Sequence, residues 1–302
     1  MTDAALLARF TADRPRLAGI AYRMLGSRSD ADDLVQETWL RWERDDRSDI
    51  GSPEAWWTTT ITRLAIDRTR GLERRKETYV GPWLPEPVMT SSSTMPRTES
   101  TDPADVAEMA DSLTFGFLVL LESLSPLERA VFLLVEVFGE SCADAGTVVD
   151  RSEVACRQIV RRARQAIRAR RHRQSADRGA AEELMMRFMS AATTGNVDDM
   201  ARYLVDEPVL ISDGGANVRA ARRPVVGTHR VTRLISHIAR HPWDGSIEAR
   251  WINDEPALVV RDTKGQVDQV VIFEIDGDRI ARIFVVRNPD KLERLDLDAE
   301  LA

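Results

Sequence analysis

Asp30-Ala31-Asp32-Asp33-Leu34-Val35-Gln36-Glu37-Thr38-Trp39-Leu40-Arg41-Trp42 and, about 120 residues later, Arg151-Ser152-Glu153-Val154-Ala155-Cys156-Arg157-Gln158-Ile159-Val160-Arg161-Arg162 decide how this chain is read. Residues 30–49 hold eight acids against three arginines, whereas residues 151–173 hold nine arginines against one acid, Glu153. An acidic segment repels a phosphate backbone; an arginine-dense helix attracts it. A charge run alone reads as a solvated face. Here Leu34, Val35, Trp39, Leu40 and Trp42 mix large anchors with the acids, as partner-binding surfaces do. One chain thus carries a protein-docking face and a DNA-reading face, the division expected of a factor that brings a large enzyme to DNA.

Working outward, 302 residues predict two or three units. A hydrophobic fraction of 43% and a charged fraction of 30% fit a soluble globular protein and exclude global disorder. The net charge of −7 conceals the segregation along the chain. Two cysteines, Cys142 and Cys156, make no disulfide scaffold, and four histidines show no zinc spacing. There is no signal-peptide pattern and no apolar run near the roughly 20 residues a bilayer requires. A cytoplasmic protein without metal, cofactor or membrane partner is expected.

Residues 5–75 read as helices, with Leu6, Leu7, Phe10, Leu17, Ile20, Ala21, Met24 and Leu25 at helical spacing and Gly26 as a stop. A second helix is expected after Ser29 as N-cap, with Asp30, Asp32 and Asp33 in its first turn. A third starts at Ser52-Pro53 and runs towards Gly71. Residues 77–107, rich in Pro, Ser and Thr, read as a flexible linker. Helices resume near Val106 and continue to about Arg173. After Asp177 a helical opening precedes alternating segments, and Asp276-Gly277 marks a hairpin, so the last unit is α+β.

Residues 124–168 have helix-turn-helix spacing, with residues 141–149 as first helix, Asp150-Arg151 as turn and residues 152–168 as recognition helix. Cys156, Ile159, Val160, Ala163 and Ile167 form its inward stripe. Arg151, Ser152, Glu153, Arg157, Gln158, Arg161 and Arg162 face outward, where arginine suits guanine bidentately and residues further along meet phosphates.

Residues 30–42, the helix from Pro53-Glu54-Ala55-Trp56 through Asp67-Arg68-Thr69-Arg70, and the helix-turn-helix resemble regions 2 and 4 of an extracytoplasmic-function (ECF) RNA polymerase sigma factor. Trp83-Leu84-Pro85-Glu86-Pro87 and Asn288-Pro289-Asp290-Lys291-Leu292 resemble the subgroup carrying a fused C-terminal SnoaL-like (NTF2-like) domain. The resemblance implies two all-α sigma domains followed by an α+β NTF2-like cone domain: region 2 at 1–76, a linker at 77–107, region 4 at 108–174 and the C-terminal domain at 178–302. It implies that Asp30, Asp32, Asp33, Val35, Gln36, Glu37 and Leu40 dock on the β′ clamp of core RNA polymerase. The loop at 47–52 and Trp56, Trp57, Arg63, Arg68, Arg70, Arg74 and Arg75 would melt and hold the −10 promoter element, and the outward residues of the recognition helix would read the −35 element. Tryptophan at helical spacing is more often core than base platform, and Trp56 is read as mostly structural.

The turn departs from the family pattern, with Ala145, Gly146 and Asp150 where a large aliphatic residue, an alanine and a glycine are usual; Asp150 tolerates a left-handed turn, and the small side chains predict a looser helix. A second loop motif stands here as Asp213-Gly214-Gly215-Ala216-Asn217, without the subgroup's terminal lysine. Asp213, His229, His237, His241 and Trp251 are candidates for lining a cavity, without a visible catalytic dyad. The C-terminal domain is expected to regulate in cis; a small-molecule ligand for it stays open. The rivals are a one-component ligand-sensing helix-turn-helix regulator and an NTF2-like isomerase or cyclase.

Overall fold

The computed structural model describes residues 3–45, 50–90, 114–168, 177–240 and 243–300. They form two compact units: one from the residues up to Glu77 and from Leu118 to residue 168, the other from Thr78–Thr90, residues 114–117 and residues 177–300.

In the first unit, α1 (Asp3–Leu25), α2 (Arg28–Arg44) and α3 (Pro53–Lys76) form a bundle. α1 stops where Gly26 turns to φ +67°. The cap of α2 is Ser27, whose hydroxyl accepts from the Asp30 N–H at 3.2 Å; Ser29, expected in that role, lies in the first turn. α3 begins as its sequence predicts, with Ser52 accepting from the Ala55 N–H and Pro53 in the first turn, where its missing N–H costs nothing. Leu17, Ile20, Met24, Leu34, Ile61 and Ala65 fill the core, and Phe10, Trp42 and Trp57 pack edge to face beside them.

Helix α4 (Phe115–Leu121) starts in the second unit and from Leu118 belongs to the first, which also contains α5 (Pro126–Phe132) with its Ser125/Glu128 capping box, a π turn at Leu133–Val137, α6 (Cys142–Val149) and α7 (Glu153–Arg168). Residues 106–113, expected to be helical, lie outside the described residues. The two helical groups are joined by polar contacts, one of them buried and another half-buried. Arg129 on α5 donates to the Met24 carbonyl at 2.6 Å, and Lys76 at the end of α3 pairs with Glu122.

The second unit is α+β. Its six strands are β1 (Leu204–Asp213), β2 (Val225–Val226), β3 (Ser246–Ile252), β4 (Glu255–Arg261), β5 (Val267–Asp276) and β6 (Arg279–Val286), ordered β2-β1-β6-β5-β4-β3. Only the β1–β6 pairing is parallel. The β3–β4 turn places Asn253 and Asp254 at φ +48° and +54°, the left-handed pair that matches strand twist. Helices α8 (Arg178–Thr194), α9 (Val197–Arg202) and α10 (Thr228–Ala239) bury Met185, Phe188, Met200 and Val231 with Leu210, Leu258, Phe273 and Ile283 of the sheet. Helix α11 (Pro289–Glu300) lies against β5.

The stretch read as a linker is in part built into this unit, along β3 and the β3–β4 turn. Residues 78–90 pack on this unit: Met89 bridges Ile252, the Thr90 N–H donates to the Trp251 carbonyl and the Asn253 N–H to the Val88 carbonyl, each at 2.9 Å. The proline spacing that argued for a flexible linker instead makes an extended strap, since Pro85 and Pro87 are buried. Residues 91–107 lie outside the described residues.

Candidate functional site

Three surfaces carry the residues the sequence singled out. On α2, Asp33, Gln36 and Leu40 are exposed, and Asp30, Asp32 and Glu37 are partly exposed. Val35 is a correction: at 2% exposure it belongs to the core with Ala31, Leu34, Thr38 and Trp42, because period-3.6 packing turns it inward. Glu37 pairs with Arg41 at 2.6 Å and Asp30 with Arg68 at 3.4 Å, so the acidic face carries its own counter-charges.

On α3, Trp57 is a second correction. It is fully buried between Phe10 and Trp42, so its ring cannot serve as a base platform. Trp56, read as mostly structural, is half-exposed and lines a concavity of about 460 Å³ with Arg41, Arg44, Asp45, Thr59, Thr60 and Arg63. Arg41 and Arg44 were missed because they end the acidic helix; three- and four-residue spacing in its last turn was the signal. Arg63 has a second engagement, donating through Nε to the Val148 carbonyl at 2.8 Å and through Nη2 to Thr147 at 3.4 Å. Both carbonyls end α6, where a cation suits the helix dipole. Arg70 pairs with Asp67 at 3.0 Å; Arg74 and Arg75 are exposed in the last turn of α3. Residues 47–49 of the expected −10 loop lie outside the described residues.

The helix-turn-helix is built by α6 and α7. Asp150 takes φ +56° and ψ +56°, the left-handed turn otherwise left to glycine. A Cβ at Gly146 would come within 2.6 Å of the Arg151 carbonyl, so the turn occupies the space a side chain would fill. Ser152 caps α7, accepting from the Ala155 N–H at 3.2 Å. The inward stripe Cys156, Ile159, Val160, Ala163 and Ile167 is buried. Arg151, Ser152, Glu153, Arg157, Gln158, Arg161 and Arg162 are all exposed, and Glu153 pairs with Arg157. Arg157, Arg161 and Arg164 share a second concavity of about 390 Å³ with Cys142.

In the second unit, motifs far apart in sequence converge on Asp213. Its carboxylate accepts from the Tyr79 hydroxyl at 2.5 Å, the Leu84 N–H at 2.9 Å, the Gly215 N–H at 3.0 Å and the Lys291 ammonium at 2.7 Å. Lys291 also donates to the Leu84 carbonyl and lies 3.5 Å from the Trp83 ring centre. Asn288 donates to the Tyr79 hydroxyl at 2.9 Å and accepts from the Asp290 N–H at 3.2 Å. Gly215, at φ +62°, leaves no room for a Cβ beside Asn288, and Gly214 would press one against the Val218 carbonyl. Leu84, Pro85, Pro87 and Leu292 are buried, Glu86 is half-buried and Pro289 is exposed. Burial, then the bond to Asp213, pushes the Tyr79 hydroxyl far above its usual range. Tyr79 was missed; it lies just outside the motif that drew attention.

The cavity-lining candidates do not converge. His229 and His237 are exposed, His241 lies outside the described residues, and Trp251 donates to Glu182 under the Arg178 guanidinium. Among the described residues no group of three His, Cys, Asp or Glu is placed to hold a metal, and no helix is long and apolar enough to cross a membrane.

Comparison with known proteins fits this division. Residues 10–75 match the model of Sigma-70 region 2, and residues 116–167 that of Sigma-70 region 4. The chain is 32% identical over 295 residues to the ECF RNA polymerase sigma factor SigJ of Mycobacterium tuberculosis, covering 94% of this chain and 92% of that protein. It is 28% identical to the probable ECF RNA polymerase sigma factor SigI of Mycobacterium tuberculosis, with 95% of each covered. The crystal structure of SigJ superposes with a TM-score of 0.71 at 29% identity, covering 95% of this chain and 98% of that one.

Proposed function

Because the chain belongs to the ECF RNA polymerase sigma factors, we propose that α2 docks on the β′ clamp of core RNA polymerase, that the Trp56 concavity holds the −10 element, and that α7 reads the −35 element. The C-terminal unit restrains the connector between regions 2 and 4 in cis. The observation that carries this is the Asp213 cluster, which ties the chain to that unit at Tyr79, three residues after region 2 ends. On α2 the exposed Asp33, Gln36 and Leu40 present charge, amide and apolar contact together. On α7 the exposed side chains of the first two turns are those that reach base edges in a helix-turn-helix.

Run-off transcription with core polymerase, comparing the full chain with Lys291→Met and with Asp33→Ala/Gln36→Ala/Leu40→Ala, tests both halves. Loss of transcript with the triple variant and altered output with Lys291→Met are expected. Promoter binding that needs no polymerase, with the triple variant fully active, would instead identify a one-component regulator.

A further inference from the structure

The sheet face opposite the helical layer carries a charged group that the Asp213 cluster does not use. Glu255 opens β4, and strand alternation sets it on one face with Ala257, Ile272, Glu274, Arg282 and Phe284. Glu255 and Glu274 are buried at 2% and 4% exposure. Arg282 donates to the two Glu274 oxygens at 3.2 and 3.0 Å. Glu255 Oε2 accepts from the Gly116 N–H at 3.2 Å, while Oε1 has no hydrogen-bond partner among the described residues.

Over this pair lies the first turn of α4. Residues 114–117 are all buried, the Phe115 ring meets Phe284 at 5.3 Å, and Thr114 Oγ1 accepts from the Phe117 N–H at 3.1 Å. A Cβ on Gly116 would lie 2.9 Å from the Glu274 carboxyl carbon, so only a glycine backbone passes the pair this closely. Two buried carboxylates facing one guanidinium leave a negative charge that backbone N–H groups offset only in part. One proton held between the carboxyls removes it.

We propose that Glu255 and Glu274 form a carboxyl clamp, sharing one proton, that holds the first turn of α4 on the C-terminal unit and releases it when that proton passes to solvent. The inference rests on the reading in which this unit restrains the connector, and adds a second tether: residues 78–90 at one end, residues 114–117 at the other. Because α4 runs on towards region 4, losing the clamp frees that end of the connector while the Asp213 cluster still holds the other end. Burial, then the neighbouring Glu274, pushes the Glu255 carboxyl well above the usual range; the Gly116 and Phe115 N–H groups and Arg282 oppose this. With the folded value raised, the clamp's stability is fully present below the unfolded carboxylate value and is lost as pH rises through the folded value.

Amide exchange on the intact chain, corrected for intrinsic rates and followed from about pH 6 to about pH 9, tests the clamp. In the unmodified chain, protection of residues 114–121 should fall about tenfold or more with rising pH relative to α8. Glu255→Gln should hold it high throughout, since its amide oxygen still accepts from Gly116 and its NH2 donates to Glu274. Glu274→Gln removes the other carboxylate and should flatten the profile too. A pH-independent profile in the unmodified chain, or both variants falling with it, overturns the clamp; if neither variant folds, the unmodified profile alone decides. Unchanged run-off output with Lys291→Met would overturn regulation by the connector, whereas the exchange profile judges the clamp by itself.

Discussion

Lys291→Met removes one side of the buried pair at Asp213 while keeping the length and apolar stem of the side chain. Breaking a buried ion pair from one side costs about 3–5 kcal/mol, because the remaining charge is left without its partner. Asp213 keeps three donors, from the Tyr79 hydroxyl and the Leu84 and Gly215 N–H groups, which holds the loss near the lower limit. The lost contact with the Trp83 ring adds about 0.5–2 kcal/mol. A total near 4 kcal/mol is expected, a roughly 1,000-fold shift in the equilibrium that opens residues 78–90. Amide exchange across 78–90 reads the opening, and urea unfolding followed by tryptophan fluorescence reads the global effect. Asp213→Asn combined with Lys291→Met should recover most of the loss, because the buried carboxylate then goes with its counter-ion. A loss under about 0.5 kcal/mol in the single variant, or a double variant as weak as the single one, would refute the reasoning.

Three further outcomes are expected. Asp33→Ala/Gln36→Ala/Leu40→Ala should weaken core polymerase binding by at least about tenfold with thermal stability nearly unchanged, as their exposure implies; titration calorimetry together with a melting curve checks it. Arg157→Ala should cost about 1–3 kcal/mol at a −35 site and relax selectivity there, while equal loss on all sequences in a gel-shift series would make it a phosphate contact. Gly146→Ala should destabilise the helix-turn-helix by about 1–3 kcal/mol, because the colliding atom is the Arg151 backbone carbonyl, which cannot rotate aside; an unchanged urea midpoint would contradict the contact.

Periodicity and charge made the helical units legible. The Ser52-Pro53 start, the inward stripe of α7 and its outward arginines are local properties, since neighbours three and four apart share a face whatever the tertiary context. Which apolar residues of α2 face out was less legible. Val35 and Leu40 differ little in hydrophobicity; Val35 falls on the stripe with Ala31, Leu34, Thr38 and Trp42 that packs on α1 and α3, and Leu40 falls off it.

By itself the sequence determined two helical groups, one with an acidic segment at 30–49 and the other with an arginine-rich segment at 151–173, the left-handed turn at Asp150 and an α+β unit after residue 177. The tertiary structure alone decided that Tyr79, Leu84, Asp213 and Lys291 meet, and that Glu255 and Glu274 stand beneath Gly116. Contacts between residues more than a hundred positions apart depend on how a sheet aligns its strands, and no short-range pattern of polarity encodes that register.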